Sequence, residues 1–99
     1  MENLEKKLYL VHCGIYDTDL CDGVYESHIN VFVVAESFEN ARAKAKELPE
    51  VRAKRMHVDG LQCVEAVGGY RLYLEEDREL AGATRLISNR HRDLATKKP

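Results

Sequence analysis

The chain has 99 residues, 44% of them hydrophobic, 32% charged and 7% aromatic, and its 15 Lys and Arg against 17 Asp and Glu leave a formal charge of −2. A length of this order excludes two independent domains, because a chain of about 100 residues buries only roughly two-thirds of its unfolded surface and supports one small core. The acidic balance offers no basic field for a phosphate backbone, so nucleic acid is not an expected partner.

The first residues, Met1-Glu2-Asn3-Leu4-Glu5-Lys6-Lys7, include Glu2 and Glu5 where an export signal is basic, and the next apolar run stops at His12. No membrane span or export signal is expected. Cys13, Cys21 and Cys63 are odd in number and include no Cys-x-x-Cys, so neither a disulfide framework nor a zinc knuckle follows. The expected compartment is the reducing cytoplasm.

In chain order, Leu8 to Gly14 reads as a first strand and Asp17 to Gly23 as an irregular loop. Glu26 to Ala35 reads as a second strand, and its run Ile29-Asn30-Val31-Phe32-Val33-Val34-Ala35 suggests a central strand covered on both faces. Ser37 offers an N-cap hydroxyl, and Phe38, Ala41, Ala45 and Leu48 recur at helical spacing up to Pro49, which predicts an amphipathic helix over 38–48. Its narrow alanine stripe implies close approach to a sheet.

Met56 to Gly60 reads as a short strand ending in a turn, Leu61 to Val67 as the next strand, and Tyr70 to Leu74 as the last. A three-residue Val67-Gly68-Gly69 loop is the expected link of the final hairpin, because it sets Val64 opposite Leu72 and Glu65 opposite Arg71. Leu80, Ala83, Thr84, Ile87 and His91 predict a C-terminal helix from Asp77 to about Leu94. Between Arg85 and Pro99, five Lys and Arg stand against Asp93 alone, a net +4 that reads as a solvated tail.

The predicted class is therefore α+β: a mainly antiparallel sheet in the order β-β-α-β-β-β, with one helix packed on one face and a C-terminal helix. Residues 1–75 form the sheet and helix domain, and residues 76–99 a helical extension with a basic tail in the same globular unit.

The strings Leu8 to Gly14, Glu26-Ser27-His28, Phe32 to Ser37, His57-Val58-Asp59-Gly60 and Gly69-Tyr70-Arg71-Leu72 occur in order. With them the chain resembles the small bacterial domain of unknown function family 1543 over residues 7–75. It departs from that pattern in having one Gly at Gly14, an added loop from Tyr16 to Val24, and the C-terminal extension. The resemblance implies no activity and no site residue.

The polar residues within these motifs share a geometry. In a strand, residues two apart lie on one face, so Glu26 and His28 project together, as do His57 and Asp59. Two imidazoles and two carboxylates can hold a divalent metal, with His28, His57 and Asp59 as candidate ligands, or can pair a general-base His with an orienting carboxylate. They can also be purely structural, Glu26 pairing with His28 and Asp59 serving the turn at Gly60.

His12 and Cys13 are possible additions to such a site. Cys13 among apolar neighbours reads as a buried small hydrophobe, Cys63 as sheet packing, and Cys21 as an exposed loop thiol beside Asp22. Five of seven aromatics are Tyr, a composition suited to contact surfaces. No Gly-rich phosphate loop, Gly-x-Ser-x-Gly or His-Glu-x-x-His occurs. No organic cofactor is expected.

Two functional readings follow. One is a small cytoplasmic interaction module, a homodimer that covers the sheet face its single helix leaves open. The other is a small metal-dependent or general-base enzyme built on Glu26, His28, His57 and Asp59.

Overall fold

A computed structural model of the chain describes residues 5–16, 21–23 and 25–90, with the side chain of Cys21 outside the description. The expectations for residues 17–20, for the exposure of Cys21 and for the tail beyond Arg90 lie outside the described residues.

The fold is α+β, with an antiparallel sheet and helices packed on it. Strand β1 (Lys7–Tyr16) is followed by a one-turn 3-10 helix (Cys21–Gly23), β2 (Glu26–Ala35), helix α1 (Phe38–Glu47), helix α2 (Pro49–Ala53) and β3 (His57–Val64). The three strands form one sheet in the order β2-β1-β3, both neighbours antiparallel to β1. Strands β2 and β3 therefore run parallel to each other on either side of β1, joined by the helical crossover. That arrangement brings the starting ends of β2 and β3 to the same edge of the sheet, beside the C-terminal end of β1.

The central strand is β1, and β2 is an edge strand, contrary to the expectation from its apolar run. From Val31 onward β2 alternates strictly: Val31, Val33 and Ala35 are buried, while Phe32 and Val34 lie on the uncovered face. An edge strand of β-branched residues with only one face packed has the same composition as a central one.

Ser37 caps α1 as predicted, its Oγ accepting from the Asn40 backbone N–H at 3.0 Å. Ala41 and Ala45 are fully buried, so the helix lies close on the sheet. Tyr9 is buried beside Phe38, their rings 5.2 Å apart and edge to face. Pro49 ends α1 by forcing Leu48 into extended backbone and then starts α2 at its first position, which buries Val51. The core is Tyr9, Val11, Cys13, Val31, Val33, Ala35, Ala41, Ala45, Val51 and Met56, all on the helix side of the sheet.

The turn expected at Asp59-Gly60 is a β-bulge within one continuous strand. His12 pairs with Gly60 and Cys13 with Val58, so Asp59 is the extra residue. The bulge reverses the parity of β3. His57 and Asp59 face the uncovered side, yet Val58, Leu61 and Cys63 all pack against the core.

Beyond β3, strands β4 (Ala66–Val67) and β5 (Tyr70–Arg71) form a separate two-stranded ribbon, so the sheet has three strands and not five. Val67 pairs with Tyr70 and Ala66 with Arg71, and the Leu72 N–H donates to the Glu65 carbonyl. The loop is thus the two residues Gly68-Gly69, both at positive φ (57° and 88°), in place of the expected three-residue loop. Arg71 therefore pairs with Ala66 and not with Glu65. The ribbon has no covered face, and Glu65 lies in the open, 3.4 Å from Lys7 Nζ.

The C-terminal helix does not form among the described residues. Asp77 caps a single 3-10 turn (Arg78–Leu80), and Gly82 at φ 73° breaks it. Leu86 and Ile87 are exposed, so the apolar stripe has nothing to pack on, and a short helix without packing is marginal in water. Among the described residues no helix is long and apolar enough to cross a membrane.

Candidate functional site

The site lies on the uncovered face, at the edge where β2 and β3 both begin. Gly14 of β1 pairs with His28 on one side and His57 on the other. The flanking strands are about 10 Å apart across β1, a gap that long side chains reaching inward close only above a residue with no side chain of its own. A Cβ on Gly14 would lie 2.5 Å from Glu26 Oε1, 2.7 Å from Asp59 Oδ2 and 2.8 Å from His28 Cδ2. The glycine is covered by the cluster it admits.

All four predicted residues are brought together. Glu26 Oε1 lies 3.1 Å from His28 Nε2 and 3.0 Å from His57 Nε2. Asp59 turns Oδ1 to His57 Nε2 at 2.9 Å and Oδ2 to His28 Nε2 at 3.4 Å. The result is a closed ring in which imidazole and carboxylate alternate, half exposed to solvent. Convergence does not come from β2 and β3 being neighbours; it comes from both flanking a glycine, with the bulge turning Asp59 inward.

His12 joins the cluster. Its ring stacks on that of His28, centroids 4.7 Å apart and planes 16° from parallel. Its Nδ1 lies 2.8 Å from Asn30 Oδ1, a hydrogen bond in which the amide oxygen accepts and the ring is held in place. Potential ligand atoms fall into two sets, each within 4.8 Å: Glu26, His57 and Asp59, and His12, His28 and Asp59.

Cys13 points away into the core. Burial, then the charges of Asp59 and Glu50, push its thiol above the ordinary range, so it is a packing residue and not a nucleophile. Cys63, partly buried beside Tyr9, is likewise sheet packing. Tyr16, Tyr25, Tyr70 and Tyr73 are exposed, and only Tyr9 is buried.

Gly14 and Asn30 are the site residues that sequence reasoning did not assign. Their signal is the period-two pattern itself: His12-x-Gly14, Glu26-x-His28-x-Asn30 and His57-x-Asp59 are three segments of one strand face. A shallow pocket lined by His12, Asn30, Gly60 and Gln62 adjoins the cluster. The larger apolar groove, between Leu8, Phe32, Val34, Leu48, Ala83 and Leu86, includes none of the four.

No curated protein and no solved structure matches the chain. A protein family does, over residues 23–74, which take in β2, the helical crossover, β3 and the hairpin, and with them Glu26, His28, Asn30, His57 and Asp59, while His12 and Gly14 precede the match. That match spans just over half of the chain, which belongs to the DUF1543 family, a Domain of Unknown Function.

Proposed function

We propose that the domain binds a divalent transition-metal ion through Glu26, His57 and Asp59, with His28 beside them, and that this centre carries its activity. One observation supports the reading above all. Each Nε2 of His28 and His57 faces two carboxylate oxygens, giving four contacts of 2.9–3.4 Å. Two imidazoles supply at most two Nε2–H groups, so hydrogen bonding alone leaves the ring short of donors. A cation satisfies every inward lone pair at once.

The spacing suits such an ion. Bonds of about 2.0–2.1 Å in tetrahedral geometry put ligand atoms about 3.3 Å apart, a few tenths of an ångström from the observed contacts. Three protein ligands leave a position open to water and substrate, and a metal ion there would act as Lewis acid or activate the water. The pocket beside His12 and Asn30 offers space for a small polar ligand. Without a metal, His57 oriented by Asp59 at 2.9 Å is the pair suited to general-base work.

The test is elemental analysis of the untagged protein, followed by calorimetric titration with Zn²⁺ and Mn²⁺. At least one ion per chain is expected, lost in the His57→Ala variant. No binding of either metal at micromolar concentration overturns the reading.

A second reading, a cytoplasmic homodimer, is favoured by the apolar surface left uncovered. Phe32 and Val34 stand on the open face, Tyr70 and Tyr73 are each 79% exposed, and Ile87 is 95% exposed. Light scattering should then return twice the monomer mass of 11.3 kDa. A monomer at that mass through the micromolar range excludes it.

A further inference from the structure

We infer that the cluster holds not one divalent ion but a pair, bridged by Asp59. The inference rests on the proposed metal function and deepens it. Ligand atoms form two triads, Glu26, His57 and Asp59 in one and His12, His28 and Asp59 in the other, each within 4.8 Å, and Asp59 belongs to both.

The Asp59 carboxylate is divided between the two triads. Oδ1 lies 2.9 Å from His57 Nε2 and Oδ2 3.4 Å from His28 Nε2, so its two oxygens serve opposite sides, the arrangement of a bridging carboxylate. Ions in two-metal sites are about 3.5–4 Å apart, a span that one carboxylate bridges. Glu26 Oε1, within 3.1 Å of both imidazoles, sits where a second bridge would be.

The second triad has its own orienting contact. Asn30 Oδ1 accepts from His12 Nδ1–H at 2.8 Å, the outer-shell hydrogen bond that metal-bound imidazoles carry. Gly14 lies beneath both triads, since its missing Cβ would meet Glu26, Asp59 and His28 together. Two dications against two carboxylates leave a net charge of about +2, so the pair draws an oxyanion as its ligand.

The experiment uses the full chain, stripped by chelator and dialysed, titrated with Mn²⁺ by calorimetry and followed by electron paramagnetic resonance. Two ions per chain with the multiline spectrum of a spin-coupled pair are expected. His12→Ala should reduce the count to one and abolish the coupling while the far-ultraviolet circular dichroism is unchanged. Asn30→Ala should keep both sites but weaken one by about 10–100-fold. A count of one in the unaltered chain, lost in His57→Ala, overturns the pair and leaves the single-metal function standing. A count of zero overturns both. A count of two that persists in His12→Ala overturns the assignment of the second site.

Discussion

Replacing Gly14 by Ala separates the site from the fold. Gly14 lies in β1 without positive φ, so its backbone accepts Ala unstrained. The added Cβ would stand 2.5 Å from Glu26 Oε1, 2.7 Å from Asp59 Oδ2 and 2.8 Å from His28 Cδ2, where ordinary contact begins at 3.4 Å. The three groups must therefore withdraw by about 0.6–0.9 Å, several times the ~0.2 Å tolerance of a metal–ligand distance.

All three are side-chain ends on a half-open face, so they can move without disturbing the core. Ala in a strand interior is worth about 0.5–1 kcal/mol over Gly, which offsets the repacking. Gly14→Ala should thus shift Tm by no more than about 5 °C while weakening Zn²⁺ or Mn²⁺ affinity by at least about tenfold, roughly 1.4 kcal/mol. Circular dichroism melting and calorimetric titration on the same sample read the two effects. Unchanged metal affinity would refute the reasoning, because the ligands would then not be closing over Gly14. So would a variant that fails to fold, because the clash would then fall on the scaffold.

Val11 is fully buried at the centre of β1, so Val11→Ala removes two methyl groups from a packed site. The loss of about 1.6 kcal/mol of transfer free energy plus a cavity term predicts about 2–3 kcal/mol, read as a lower urea midpoint. Ser37→Ala deletes the α1 cap whose Oγ accepts from Asn40 and should cost about 1 kcal/mol in the same assay, leaving metal binding intact. Stability should also fall in alkali. Burial, with Asp59 and Glu50 nearby, raises the Cys13 thiol above its usual 9.0, and burial, with Cys63 adjacent, raises the Tyr9 phenol above 10.0. The folded state then holds protons that the unfolded chain has released, so this stability is complete below about pH 9 and is lost as pH rises toward the folded values. A Tm profile from pH 8 to 10.5 should decline, less steeply in Cys13→Ala; a flat profile in the unaltered chain contradicts the assignment.

The α1 helix and the shared face of each polar pair in β2 and β3 were legible because their signals are local. Ser37 followed by Ala41 and Ala45 specifies a capped helix with a narrow buried stripe, and period-two spacing fixes that Glu26 and His28, or His57 and Asp59, share a face. Where the apolar pattern depended on what packs against it, reading from sequence failed. The run through β2 reads alike for an edge and a centre, and the stripe from Leu80 to Ile87 specifies a helix only if a surface is there to receive it.

The composition and spacing of the chain determined by themselves the α+β class, the helix cap and the residues able to act as ligands. Tertiary structure alone decided that those residues meet. Placing β1 between β2 and β3 aligns His28, Gly14 and His57 across the sheet, and one extra residue at Asp59 turns His57 and Asp59 outward while Leu61 and Cys63 stay in the core. Strand order and bulge position are set by pairings between segments tens of residues apart, whose energies come from contacts that no local stretch of sequence contains.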